Sequence, residues 1–141
     1  MTYLLDTNGV IALLVPQHVD HNRIHNFFRK RTFAISPQIQ LGALRFLTRP
    51  RKLPGSSKVL PPLQRPDEAL QLLRWLCHAR AKTFVPEDLN CAGRLPFARV
   101  SGHQQWNDFY LVALAQHHSF MLAICDAALQ RHFPEVVRLV P

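Results

Sequence analysis

Short apolar runs alternate along the chain with longer segments whose apolar residues have helical spacing. Runs typical of buried strands lie at residues 2–5, 32–35, 83–85, 120–124 and 136–140. Helices are predicted at residues 9–15, 18–30, 37–49, 109–117 and 127–132, and another is predicted to begin at Pro66. Strands that alternate with helices predict an α/β fold. We therefore expect residues 1–141 to form one domain, a single-domain α/β/α sandwich with a mainly parallel central sheet.

Two segments depart from this alternation. Residues 49–66 are basic and rich in proline, which favours a loop between helices. Residues 86–105 contain Gly93, Pro96 and Gly102, and we expect a loop or irregular helix there. We find no internal repeat and no linker long enough to divide the chain into domains.

Three aspartates lie where predicted strands and helices meet. Asp6 follows the first strand, Asp126 follows the strand at 120–124, and Asp108 opens the helix at 109–117. Parallel strands present their carboxyl ends on one edge of the sheet, so the three carboxylates are expected to converge there. Such a group suits a hard cation, Mg²⁺ or Mn²⁺, that acts on phosphates, and Asn8 could orient a carboxylate or a water. The predicted metal ligands are Asp6, Asp108 and Asp126.

Each aspartate also fits a structural role as a helix cap. Asp108 and Asp126 both precede apolar helices, and either one alone could be an N-cap. However, the chain has only nine acidic residues against seventeen basic ones. Three acids at the ends of buried elements therefore favour a shared site.

The charge balance indicates a polyanionic partner. The net charge of +8 and a sequence pI of about 10.3 favour binding to RNA, DNA or an acidic protein, although such a charge also simply improves solubility. Candidate phosphate-binding residues are Arg45, Arg49, Arg51 and Lys52, and a solvated loop is the alternative.

The positions of the cysteines and histidines indicate less about function than the charge does. The three cysteines are far apart and contain no C-x-x-C pair, which indicates a reducing compartment rather than zinc or disulfides. His18, His21 and His25 have helical spacing and fit either a transition-metal site or ordinary surface residues. His117 and His118 lie near a helix C-terminus, where histidine complements the helix dipole. We expect no signal peptide and no membrane span, and hence a cytoplasmic protein.

Several motifs resemble those of the PIN-domain nucleases, especially the VapC toxins of bacterial toxin–antitoxin pairs. The similar segments are Asp6-Thr7-Asn8, His18-Val19-Asp20-His21, Ser36 to Thr48, Gly102 to Ala115, and Leu122 to Asp126. Their order and spacing extend over nearly the whole chain. The resemblance implies a PIN-like fold and a Mg²⁺- or Mn²⁺-dependent ribonuclease that cuts RNA with an activated water. It also implies a cognate antitoxin as inhibitor and a homodimer, alone or in a larger toxin–antitoxin assembly.

Two positions depart from the family pattern. The second acid of the family, normally a glutamate, corresponds here to Gln40, which can offer a metal only a neutral carbonyl oxygen. Ile124 replaces a hydroxyl residue two positions before the last aspartate. Both changes weaken polar support for the site. The lost charge at Gln40 predicts that the chain cleaves RNA weakly or not at all, and Gln40→Glu should restore metal-dependent cutting.

Other functions stay open at this point. A PIN-fold protein without the second acid could bind RNA or an antitoxin without cleaving. A phosphotransfer receiver domain is disfavoured, because Thr83-Phe84-Val85 leads to Pro86 rather than to an aspartate, and no lysine follows Lys82.

Overall fold

The computed structural model describes residues 1–93 and 100–141, apart from the side chain of Lys82. The strands are β1 (Thr2–Leu5), β2 (Thr32–Ile35), β3 (Arg51–Lys52), β4 (Val59–Leu60), β5 (Ala81–Phe84), β6 (Met121–Ile124) and β7 (Val137–Leu139). The helices are α1 (Thr7–Leu14), α2 (His21–Phe28), α3 (Pro37–Thr48), α4 (Pro66–Ala79), α5 (Trp106–His117) and α6 (Ala127–His132). A single 3₁₀ turn, His103–Gln105, leads into α5.

The central sheet has the strand order β5-β2-β1-β6-β7, and every neighbouring pair is parallel. The chain moves from β1 through β2 to β5 on one side, and returns to place β6 and β7 on the other. The order therefore reverses at β1, and a crevice is expected at the carboxyl ends of β1 and β6. Asp6 follows β1 directly, and Asp126 follows β6 after one intervening residue.

Helices flank this sheet and cover its apolar strands. Helices α1 to α4 contact one another, whereas α5 packs against β1 and β6, and α6 packs against β7. Right-handed crossovers place these two groups of helices on opposite faces of the sheet. The strands contribute fully buried residues such as Leu4, Phe33 and Leu122, and α5 is buried at every position from Phe109 to Ala115. An α5 buried on all sides explains why its sequence is apolar rather than amphipathic.

Helices α1 and α3 approach closely at Gly42. A Cβ atom added there would lie 2.8 Å from Thr7 Cγ2 and 3.0 Å from Thr7 Oγ1. Both distances are shorter than ordinary van der Waals contacts, so any larger residue requires the Thr7 side chain to move. Thr7 lies in the first turn of α1, which follows Asp6.

The α/β prediction and the mainly parallel sheet are confirmed, and the differences are local. The 49–66 segment is not purely a loop, because β3 and β4 form a small antiparallel hairpin around Gly55, which has a φ of 75°. Asp108 is not a helix cap, because α5 begins at Trp106 and Gln105 is its N-cap. Within the predicted irregular segment 86–105, residues 94–99, and Pro96 with them, lie outside the described residues. No described helix has both the length and the apolar character needed to cross a bilayer.

Candidate metal centre

Asp6 is held at the end of β1 as the N-cap of α1. Its Oδ1 accepts a hydrogen bond from the backbone N–H of Gly9 at 2.8 Å. The cap fixes one carboxylate oxygen and leaves Oδ2 for a ligand. Asp6 thus has both roles considered for it, as a helix cap and as a candidate ligand.

Asp126 is built in the same way at the end of β6. It is the N-cap of α6, and its Oδ1 accepts from the N–H of Ala128 at 2.9 Å. Because β1 and β6 are adjacent parallel strands, with Leu5 opposite Ala123, the two caps lie side by side. Asp108 reaches the same place from the first turn of α5.

The electrostatics show that the three carboxylates share one environment. The pKa of Asp6 is raised to about 7: burial is the largest cause, the hydrogen bond from Gly9 opposes it, and the charges of Asp108 and Asp126 add to the rise. Burial and then the charge of Asp126 raise the pKa of Asp108. Like charges that lie close together disfavour each other's ionised form, and a bound divalent cation would remove that penalty.

A cavity of about 140 Å³ lies between these carboxylates. Its lining consists of Asp6, Asn8, Gln105, Asp108, Phe109, Ile124, Asp126, Ala128, Leu129 and His132. A water molecule occupies about 30 Å³ in the liquid, so the space fits an ion with several waters. No lysine or arginine is among these described lining residues, and the three acids outnumber the one lining histidine, His132. The donor set therefore fits Mg²⁺ or Mn²⁺.

Two polar lining residues were not predicted from sequence, namely Gln105 and His132. Gln105 precedes Asp108 by three residues, so helical spacing could have placed it on the same face. The Gln105 Oε1 accepts from the backbone N–H of Ser101 at 2.7 Å, which fixes its side chain. His132 lies at the end of α6, and its ring is 6.1 Å from the ring of Phe109. No local motif marks His132.

A second cavity adjoins the first and shares Asp6, Asn8 and Asp126 with it. His18, Asp20 and Cys125 complete its lining. The nearby Arg23 is already engaged, since its Nη1 contacts Asp20 at 3.2 Å and its Nε donates to the Val140 carbonyl at 2.8 Å. Burial, followed by the charge of Asp20, raises the pKa of the Cys125 thiol to about 11. The thiol is therefore protonated at neutral pH, as expected for a residue without a nucleophilic role.

Gln40 lies elsewhere on α3. Its side-chain Nε2 donates to the Cys77 Sγ of α4 at 3.8 Å, and it lines neither of the two cavities. Ile124, in contrast, does line the first cavity and offers no polar atom there. Within the described residues, the structure brings together Asp6, Asn8, Asp108 and Asp126, but not Gln40.

The basic residues predicted to hold phosphates are all exposed. Arg45 lies in the last turn of α3, the guanidinium of Arg49 stacks over the Phe46 ring at 4.7 Å, and Arg51 Nε donates to the Pro61 carbonyl at 2.7 Å. Lys52 follows in β3. Helix α3 begins at the carboxyl edge of the sheet, so along its axis Arg45 lies about 12 Å beyond Pro37 and Arg49 lies about 18 Å beyond it. The structure does not bring them to the aspartates.

The sequence matches known proteins over nearly its whole length. Residues 3–133 match the family described as PIN domain. The ribonuclease VapC29 of Mycobacterium tuberculosis is 34% identical over 143 residues, which cover 100% of this chain and 98% of that protein. The ribonuclease VapC39 of the same organism is 30% identical over 134 residues, covering 92% and 91%.

The fold is also similar to that of a solved structure, VapBC2 from Rickettsia felis bound to a DNA fragment from their promoter. The TM-score is 0.62 with 17% sequence identity, and both chains are covered completely. At this identity the likeness concerns the fold alone.

Proposed function

Because the chain belongs to the PIN-domain family and is of the VapC type, we propose that it is the endoribonuclease toxin of a toxin–antitoxin pair. Its relatives VapC29 and VapC39 are named ribonucleases. The observation that carries the proposal is the cavity lined by Asp6, Asp108 and Asp126, where the pKa values of Asp6 and Asp108 are raised and no lysine or arginine is among the described lining side chains. A polyanionic substrate agrees with the net charge of +8.

The carboxylates would hold one divalent cation, Mg²⁺ or Mn²⁺, through the oxygens that the helix caps leave available. When bound, such an ion supplies Lewis-acid stabilisation of the charge that develops on the phosphodiester. The residues fit this role, because a hard cation prefers carboxylate oxygens and would lower the pKa of Asp6 back below neutrality.

The side chains of this chain would then position and activate the nucleophile. Asn8 lines both cavities and would orient the attacking water through its amide. A carboxylate oxygen of the cluster would accept the proton of that water as the oxygen–phosphorus bond forms. In-line attack breaks the bond to the leaving oxygen, which takes up a proton. Phe109 and Leu129 form an apolar wall that limits access of bulk water.

The cognate antitoxin is proposed to inhibit the enzyme by covering this cavity. A basic side chain from the antitoxin would neutralise the carboxylates and take the place of the cation. A homodimer, alone or within a larger toxin–antitoxin assembly, and a cytoplasmic location remain expectations of the family resemblance. In a complex with the antitoxin, Asp6, Asp108 and Asp126 should be protected from solvent; if all three stay open, inhibition does not work by direct occlusion.

The test of the catalytic proposal is RNA cleavage by the purified chain with Mg²⁺, with Mn²⁺ and with a chelator. Cleavage should require the ion and should be lost in Asp126→Asn. The matched control is Asp67→Asn, because Asp67 is an exposed acid that pairs with Arg65 on α4, outside both cavities. Cleavage that persists in the chelator, or equal losses in the two variants, would contradict the proposal.

A further inference from the structure

A second cluster of ligand-bearing side chains lies outside the aspartate cavity. Asp88, which follows β5, meets His117 and His118 at the end of α5. The Asp88 Oδ1 is 3.0 Å from His118 Nε2, and its Oδ2 is 3.5 Å from His117 Nε2. One ligand atom from each residue lies within 4.8 Å of the others. Both imidazoles therefore converge on one carboxylate.

The rings are held in this arrangement by their neighbours. The His118 ring stacks on the Phe120 ring with a centroid distance of 6.0 Å, and the His117 ring meets the His118 ring edge-on at 5.0 Å. The side chain of His118 is 23% exposed, so one ligand is largely ordered by packing before any ion binds. The turn that follows α5 depends on Ser119, whose φ is 58°, and this turn leads directly to Phe120.

We propose that Asp88, His117 and His118 form a binding site for Zn²⁺ or another divalent ion of the first transition row. Two imidazoles and one carboxylate are a common ligand set for such ions, and water would complete the coordination. Zinc bonds of about 2.0–2.1 Å in a tetrahedron put ligand atoms about 3.3–3.4 Å apart. The observed distances, 3.0 Å from His118 and 3.5 Å from His117, are to different oxygens of Asp88, so the side chains must rotate to direct one oxygen and both nitrogens at a single ion.

The alternative explanation for the cluster is an ordinary ion pair. That pair needs a protonated histidine, and two histidines on one carboxylate exceed what one ion pair requires. A metal ion binds both imidazoles at once, each through one ring nitrogen. The imidazole nitrogens also separate this site from the three carboxylates of the aspartate cavity, which suit a different kind of ion.

The position of Asp88 gives the site a structural consequence. Its neighbour Glu87 accepts hydrogen bonds from the Ser36 hydroxyl at 3.0 Å and from the Gln38 N–H, at the start of α3. Its other neighbour, Leu89, offers its carbonyl to the Tyr110 hydroxyl at 3.4 Å. A metal at Asp88 would therefore tie this segment to α5, which carries Asp108 in its first turn. Binding should stabilise the folded chain by mass action.

The experiment measures Zn²⁺ binding to the full chain by calorimetry in excess Mg²⁺, with Co²⁺ absorption spectra to report nitrogen ligands. We expect one Zn²⁺ per chain and a rise in Tm on adding Zn²⁺. His118→Gln and Asp88→Asn should each weaken binding by at least about 10-fold to 100-fold, the loss seen even for outer-shell partners of metal sites. Both variants should also lose the Zn²⁺-dependent rise in Tm.

Two matched controls test the location. His25→Gln removes a histidine whose ring stacks on His21 at 5.9 Å, and Asp126→Asn removes a carboxylate of the cavity. Binding should be unchanged in both. Absence of binding, binding that survives Asp88→Asn and His118→Gln, or binding lost in either control would overturn the proposal. If His118→Gln does not fold by circular dichroism, His117→Gln replaces it.

Discussion

The two ends of α5 gather charged residues in opposite ways. At its first turn Asp108 joins Asp6 and Asp126, and the mutual repulsion of these acids contributes to raised pKa values for Asp6 and Asp108. At its last turn His117 and His118 meet Asp88, and the hydrogen bond from His118 lowers the pKa of that carboxyl. A group of like charges disfavours folding without a ligand, whereas a mixed group supports itself. The first arrangement therefore points to function more strongly than the second.

Among substitutions at the two ends of α5, the largest expected effect is the loss of RNA cleavage in Asp6→Asn. Asp6→Asn keeps the acceptor for the Gly9 N–H but removes a charge from the cluster. Ribonuclease activity with Mg²⁺ should fall by roughly 10²–10⁴ if the carboxylate supports general-base chemistry, and by more if the cation is also lost. The measurement is the initial rate of RNA cleavage at saturating Mg²⁺.

The matched control for Asp6→Asn is Asp88→Asn at the other end of α5. It removes the same charge from a carboxylate that lines neither cavity around Asp6. Activity should then stay within a few-fold of the original. A large loss in Asp88→Asn and a small one in Asp6→Asn would reverse the assignment of the two ends.

The next largest expected effect is on the free energy of unfolding, measured as a function of pH with a chelator present so that no cation is bound. The pKa of Asp6 is raised from 3.8 to about 7 in the folded state, so the folded chain binds a proton that the unfolded chain has released. The stabilisation that this proton provides is complete below pH 3.8 and is lost as the pH rises to about 7. Its upper limit is roughly 4 kcal/mol, at about 1.4 kcal/mol per pKa unit.

Asp6→Asn isolates this contribution, because asparagine does not titrate. Denaturant unfolding at several pH values should show the original chain losing stability relative to Asp6→Asn between pH 4 and 7, with a constant difference above that range. Asp88→Asn should show the opposite sign, since a lowered pKa gives stability that is lost as the pH falls. Parallel curves for the original chain and Asp6→Asn would mean that the pKa of Asp6 is not raised in the folded chain.

A smaller effect is expected from the packing of α3 against the first turn of α1, which follows Asp6. In Gly42→Ala the new methyl group would contact Thr7, so we expect a loss of about 1–2 kcal/mol in the free energy of unfolding. In a Thr7→Ala background the same change should become stabilising, because alanine favours a helix by about 0.5–1 kcal/mol over glycine. Chemical denaturation of the four chains checks both signs. Destabilisation of equal size in the two backgrounds would exclude the contact as its cause.

The sequence predicted the fold well because the buried strands are continuous apolar runs and the helices have distinct start signals. Asp6 and Asp126 follow strands directly, so the parallel order of the sheet was enough to bring them together. Asp108 was expected as the cap of a helix that begins at residue 109, because Trp106 and Asn107 carry no strong helix signal, whereas α5 begins at Trp106. The hairpin of β3 and β4 was missed since each strand has only two residues.

The side-chain direction of Gln40 could not be predicted from position along the chain. Gln40 and Gly42 are two residues apart on α3, which corresponds to a rotation of about 200° around the helix. Gly42 faces Thr7 and α1, whereas Gln40 contacts Cys77 on α4. The pairing of His117 and His118 with Asp88 likewise depends on a loop residue about thirty positions away, which no local pattern indicates.

The smallest expected effect is that of Gln40→Glu. The family pattern suggests that an acid at this position would restore metal-dependent cutting, but the side chain faces α4 and not the cavity. A glutamate there would lose the donor to Cys77 Sγ and place a charge beside a thiol whose pKa burial has already raised. We therefore expect cleavage within a few-fold of the original and a loss in stability of about 1 kcal/mol or less.

Measurements of RNA cleavage and of chemical unfolding on the same variants test this expectation, with Gln38→Glu on the same helix as the control for added charge. A gain in cleavage on the order of 10²–10⁴ in Gln40→Glu alone would mean that this side chain turns toward the aspartates during the reaction. The acidic cluster would then include a residue of α3 as well as the aspartates that follow β1 and β6 and the aspartate of α5.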